Sequence, residues 1–135
     1  MRFLLDTNIL IALLHPERRQ RVLRRLAGLP PSDVVTSAIA AHELYFGAAK
    51  SSRPAENRRR FDLLFRDLQP VELNREDAAA AGAIRAELRA AGTPIGSYDV
   101  LMAGQAKARG LTLVTNNTRE FARVDGLDVV DWLAG

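Results

Sequence analysis

The chain has 135 residues, 47% hydrophobic and 26% charged, a profile that fits one globular domain and excludes a disordered or fibrous chain. Its lack of cysteine excludes disulfides, thiolate metal centres and a thiol nucleophile, and two histidines, His15 and His42, are too few for a histidine-rich metal site. The net charge of +3 is unevenly spread: residues 1–68 carry 12 Lys/Arg against 7 Asp/Glu, residues 69–135 carry 7 against 9, and arginine outnumbers lysine 17 to 2.

Met1-Arg2 leads directly into Phe3-Leu4-Leu5, which reads as a strand and meets Asp6 too soon for a secretory leader. No apolar run reaches the ~20 residues that span a bilayer, so a cytoplasmic setting without membrane contact is expected. A short helix is predicted over 8–14 and is ended by Pro16, with His15 as a favourable residue at its C-terminal end. Residues 17–27 set Val22, Leu23 and Leu26 on one side and Arg18, Arg21 and Arg25 on another, an amphipathic helix. Pro30-Pro31-Ser32 turns the chain into a strand at Val34-Val35-Thr36. Helices follow over about 38–50 and 55–66, joined by the turn Ser51-Ser52-Arg53-Pro54, and Val71-Glu72-Leu73 reads as a third strand. A long helix over 75–91 is capped by Asn74 and closed at Gly92. Ser97 is the expected cap of a helix running to 109, which Gly110 ends. Leu111–Thr115 is the clearest strand, residues 118–122 form a short helical turn, and Asp128-Val129-Val130 is a last strand. Apolar strands separated by helices define an α/β fold, a buried parallel sheet in a single domain over 1–135.

Open parallel sheets gather their functional groups at the carboxyl ends of the strands. Strand one delivers Asp6-Thr7-Asn8 there, and the late strand delivers Thr115-Asn116-Asn117. Two further acids stand in apolar helical surroundings: Glu43 in Ala41-His42-Glu43-Leu44-Tyr45 and Asp99 in Ser97-Tyr98-Asp99-Val100. Each has an ordinary reading too. Asp6 can be a helix cap, Asp99 suits a first helical turn, and Asn117 suits a turn. Together they set three carboxylates and an amide at related positions, with no cation in the same short motifs. Such carboxylates repel unless a cation joins them, and oxygen-only ligands select Mg²⁺ or Mn²⁺. That combination suits metal-assisted phosphodiester hydrolysis, which needs no protein nucleophile.

Four segments, Leu5-Asp6-Thr7-Asn8, His42-Glu43-Leu44, Pro94-Ile-Gly-Ser-Tyr-Asp99-Val-Leu-Met-Ala-Gly104 and Thr115-Asn-Asn-Thr-Arg-Glu120-Phe, occur in the order found in the PIN-domain ribonuclease toxins called VapC. The chain resembles that family along its whole length, down to Asp131-Trp132. The resemblance implies a PIN-like parallel sheet flanked by helices. It implies a catalytic triad of Asp6, Glu43 and Asp99 binding Mg²⁺ or Mn²⁺, with Asn117 at a fourth position that is often Asp in the family. Glu120, three residues on, would restore an acid to the second-metal side. Thr7, Asn8 and Thr115 are expected to support the acids, and His42 to serve packing or the surface.

The same resemblance implies an endoribonuclease that cuts structured RNA such as a tRNA. A VapB-like antitoxin would cover its active site, homodimers are common in the family, and operator DNA would be reached only through the antitoxin. Arg18, Arg21 and Arg25 could track an RNA backbone, although a solvated helix face or an arginine-rich codon bias gives the same pattern. Tyr45, Phe46, Phe61 and Phe65, with Leu44 and Leu64, fit either an antitoxin groove or the core. Two rivals are a catalytically inert PIN-like RNA- or protein-binding module, kept open by Asn117, and a receiver-like signalling domain. The latter wants a lysine after a late strand, and neither Lys50 nor Lys107 is so placed. An Asp-x-Asp phosphatase is excluded by Asn8.

Overall fold

In the computed structural model, which describes residues 1–134, five parallel strands form one sheet among the described residues. They are β1 (Phe3–Leu5), β2 (Val34–Ser37), β3 (Pro70–Val71), β4 (Thr112–Val114) and β5 (Val129–Val130), in the order β3-β2-β1-β4-β5. The helices are α1 (Thr7–Leu13), α2 (Pro16–Ala27), α3 (Ala38–Ala49), α4 (Pro54–Asp67), α5 (Arg75–Ala90), α6 (Ser97–Ala108) and α7 (Thr118–Phe121). The expected α/β architecture with helices on both faces of a parallel sheet is therefore present. No helix is long and apolar enough to cross a membrane among the described residues.

The strands are apolar on both sides because both faces are covered. Leu5, Val34 and Val114 point into one core with Ile9, Leu10, Val22, Leu44, Phe61 and Trp132. Leu4, Val35 and Leu113 point into the other, with Ile84, Leu88, Val100, Ala103 and Phe121. The two-residue period is visible in the register, where Leu4 faces Val35 and Leu113 while Leu5 faces Thr36 and Val114. Leu4, Leu5 and Leu113 are fully buried, each worth about 1.5–3 kcal/mol of transfer free energy.

Local chemistry adjusts several predicted boundaries. Pro16 does end α1, but it also begins α2, because its fixed φ and missing N–H suit a first helical position. His15 is thereby the residue that precedes α2, with an extended backbone and no side-chain capping bond. Gly96, not Ser97, occupies the cap position of α6; its carbonyl accepts from Val100 N–H, and Ser97 is already helical. The third strand is Pro70–Val71 rather than 71–73. The carbonyls of Val71 and Glu72 accept instead from the Gln105 side-chain amide (3.1 and 3.2 Å), and Glu72 O also accepts from Arg109 (3.0 Å).

Asn74 caps α5 as expected, in a reciprocal box with Asp77: each side chain accepts the other's N–H at 2.9 Å. The buried Asp77 carboxylate also takes the Arg109 guanidinium at 2.9 Å, fastening α5 to the end of α6. The two helices meet so closely that a Cβ on Gly104 would lie 2.5 Å from the Ala81 backbone. This contact sets how closely α6, whose first turn carries Asp99, packs on α5.

Candidate active site

The chain runs outward from β1 through β2 to β3, then crosses back to place β4 on the other side of β1. The turns leaving β1 and β4 therefore diverge at a topological switch point, where α/β sheets open a crevice. Asp6 leaves β1 there. Its N–H donates to Val114 O (3.0 Å), and its carboxylate caps α1 by accepting the Ile9 N–H (3.1 Å). The capping reading of Asp6 is thus correct without exhausting its role, since the residue is only 3% exposed.

Burial is the chief force that raises the Asp6 pKa to about 6; hydrogen bonds from Thr115 and from the Ile9 and Asn8 N–H groups oppose it, and the Asp99 charge adds to it. Asp99, in the first turn of α6, is half-buried and also held above the ordinary carboxylate range. Desolvation is the main cause, followed by repulsion from Glu43 and Glu120. Asp99 thus feels repulsion from Glu43 and Glu120 and itself repels Asp6, joining acids from the turn after β1 and from α3, α6 and α7. Among the described residues, none of the four is in a salt bridge.

Hydroxyls and amides fix the acids from behind. Thr7 Oγ1 donates to Glu43 Oε1 at 2.9 Å, joining the start of α1 to α3. Asn117 donates from its side-chain amide to Glu120 Oε2 at 2.8 Å, and its N–H donates to the buried Thr115 hydroxyl at 3.0 Å. Asn8 Nδ2 donates to Asn116 Oδ1 at 3.1 Å, linking the turns after β1 and β4. Sequence reasoning missed Asn116, because in Thr115-Asn116-Asn117 nothing tells which amide turns toward Glu120 and which toward Asn8.

As placed, no three Asp, Glu, His or Cys side chains among the described residues come close enough together to enclose one ion. Glu43 and Glu120 are turned to Thr7 and Asn117 instead. The chemistry of the donor set nevertheless fits a hard divalent cation: four carboxylates, Asp99 and the three coupled to it, with no cation paired to them among the described residues.

The remaining predicted residues separate from this cluster. Arg18 is half-buried and Arg25 is exposed, while Arg21 is tied to Leu133 O at 2.7 Å. Tyr45 donates to Asp62 Oδ1 (2.7 Å), lies under the Arg58 guanidinium (4.3 Å) and packs edge-on to Phe65 (5.6 Å). Phe61 is buried in the core. A separate apolar groove between α1, α2 and α4 has a volume of about 620 Å³ and is lined by Leu13, Leu14, Leu23, Leu26, Leu63 and Leu64. Of the apolar residues expected in a groove or the core, Leu64 lines this groove, Leu44, Phe46 and Phe61 line a second cleft against α1, and Tyr45 packs on Phe65.

An acid-rich crevice at the switch point of a parallel sheet defines the class: an α/β domain whose site is built from carboxylates and amides. A model of the PIN domain family matches residues 3–127. The chain is 38% identical over 132 residues to the tRNA(fMet)-specific endonuclease VapC of Salmonella typhimurium, a match covering 98% of each. Its fold superposes on the crystal structure of DNA-bound VapBC from Salmonella typhimurium with a TM-score of 0.91 (38% identity, 98% of each chain). Against VapBC-1 from nontypeable Haemophilus influenzae the TM-score is 0.92, at 32% identity over 99% of this chain and 100% of that one. The chain belongs to the PIN domain family and, within it, to the VapC group.

Proposed function

We propose that this chain is a metal-dependent endoribonuclease, the toxin of a type II toxin–antitoxin pair, which hydrolyses phosphodiester bonds in structured RNA. The observation that carries the reading is Asp99 with the three carboxylates coupled to it, none of the four in a salt bridge among the described residues and the buried Asp6 held near pKa 6. Asp6, Glu43 and Asp99 would hold Mg²⁺ or Mn²⁺, with Glu120 and the Asn117 amide on the side of a second ion. An ion bound there supplies the positive charge that acidifies an attacking water and neutralises a leaving oxygen. The protein's own part is to hold the acids ready. Asp6 is locked by the Ile9 N–H and Thr115, Glu43 by Thr7, and Glu120 by Asn117. Asn8 and Asn116 pin the two turns that carry Asp6 and Asn117.

The tRNA specificity in the Salmonella relative's name supports a tRNA as the substrate here. The VapBC assemblies among the structural neighbours, one of them bound to DNA, support a VapB-like antitoxin as the partner. The toxin would act as a homodimer and reach operator DNA only through that antitoxin. The apolar groove between α1, α2 and α4, with Arg19 and Arg60 on its walls, suits the apolar face of an acidic amphipathic segment.

A second reading, an inert RNA- or protein-binding module, draws on Asn117 and on the acids not enclosing an ion as placed. Incubating the purified chain with a tRNA pool in Mg²⁺ or Mn²⁺, with and without chelator, decides between them. The nuclease reading requires cleavage that chelator stops and that Asp99→Asn abolishes with the fold intact. Cleavage by Asp99→Asn at the parent rate would remove the carboxylates from the mechanism.

A further inference from the structure

Beside the acids lies a second cleft, about 690 Å³, between α1, α3 and α6. Thr7 and Glu43 line it, so it is continuous with the acidic cluster, and Phe46, Tyr98, His42 and Lys50 line it too. Phe46 is 59% exposed and Tyr98 47%, among the most exposed large apolar side chains described. Neither ring is loose. The Tyr98 hydroxyl lies 3.3 Å from His42 Nε2, and the His42 ring meets Tyr98 edge-on at 5.3 Å. The Lys50 ammonium sits over the Phe46 ring at 4.9 Å.

We propose that this cleft clamps an unstacked nucleobase of the RNA next to the bond that is cut, stacked on Tyr98 and Phe46, with Lys50 holding the adjoining phosphate. The inference rests on the ribonuclease reading and adds to it how the substrate is gripped. The lining of the cleft favours this occupant. Among the described residues that line it, Lys50 is the one ammonium or guanidinium, so charge supplies one phosphate contact and the exposed rings supply the rest of the grip. Stacking on aromatic faces asks no charge of the site, and every base presents a π-face. The placement is also specific. Glu43 and Thr7 line the same cleft as Tyr98 and Phe46, so a base seated there brings its phosphate beside the acids. A base flipped out of a loop can enter such a cleft, whereas a stacked duplex base cannot.

The test uses the full chain and a single-stranded RNA carrying 2-aminopurine, whose fluorescence is quenched by stacking. In the Asp99→Asn background, which separates binding from cleavage, the RNA should be quenched. Adding Tyr98→Ala should abolish the quench, and Tyr98→Phe should retain it. In the otherwise unaltered protein, Tyr98→Ala or Phe46→Ala should raise KM by roughly 5- to 150-fold, the loss of one stacked base, with a much smaller fall in kcat. Both rings are exposed, so thermal melts of these variants should match the parent. A Tyr98→Ala protein with parental KM and undiminished quench overturns the clamp. Alanine variants that bind RNA like the parent but lose a protein partner also overturn it, and make the cleft a protein-docking face. If the parent cuts no RNA yet quenches through Tyr98, the clamp stands and the nuclease reading fails.

Discussion

Replacing Asp6 by Asn should stabilise the protein while destroying its activity, and the size of the effect follows from burial. The carboxyl has a pKa of about 6 in the folded chain against an ordinary value of 3.8. Because the folded value is the higher, ionisation opposes folding. The penalty is absent below about pH 4, grows as pH rises toward 6 and is complete above it. Its upper bound is about 3 kcal/mol, at 1.36 kcal/mol per pKa unit. Asn keeps an oxygen to accept the Ile9 N–H, so the α1 cap survives the change. Thermal melts in chelator at pH 7.5 should therefore give Asp6→Asn a Tm higher than the parent by roughly 5–12 °C. The difference should shrink toward zero near pH 4. Saturating Mg²⁺ or Mn²⁺ should raise the parent's Tm and leave the variant's almost unmoved, since binding to the folded state alone stabilises it. An Asp6→Asn protein that melts below the parent at pH 7.5, or by a margin independent of pH, would refute the reasoning.

Three further outcomes are expected. Asn117→Asp should place a fourth-position acid against Glu120, lowering stability in chelator and tightening Mn²⁺ binding measured by calorimetry. Gly104→Ala should force α6 off the Ala81 backbone and cost about 1–3 kcal/mol in urea unfolding, with the loss of activity following the displacement of Asp99. Arg109→Ala should leave the buried Asp77 carboxylate with only its capping partner and cost about 3 kcal/mol by the same assay, while Arg109→Lys should recover part of it.

The parts of the fold legible in the sequence are those set by local rules. Apolar runs buried on both faces read as parallel strands, and Asn74 and Gly110 mark helix ends by capping and by positive φ. The third strand was longer in expectation because Gln105 and Arg109, more than 30 residues away, take the carbonyls of Val71 and Glu72. The acids were legible because carboxylates without counter-charges, one just past a strand and others in apolar helical surroundings, have few structural uses. Their partners were less so. Asn116, His42 and Tyr98 each adjoin a quoted site residue, and adjacency does not say which neighbour turns inward. The apolar surface divides between two places: leucines of α1, α2 and α4 line one groove, while Leu44, Phe46 and Phe61 line the cleft beside Glu43, and Tyr45 packs on Phe65.

A crystal grown in manganese tests the central claim most directly, through the anomalous signal of the ion. The account predicts Mn²⁺ bound by oxygens of Asp6, Glu43 and Asp99, with Glu43 turned from Thr7 to reach it. The same crystal with no ion at these acids, or with their carboxylates paired to arginines instead, would contradict it.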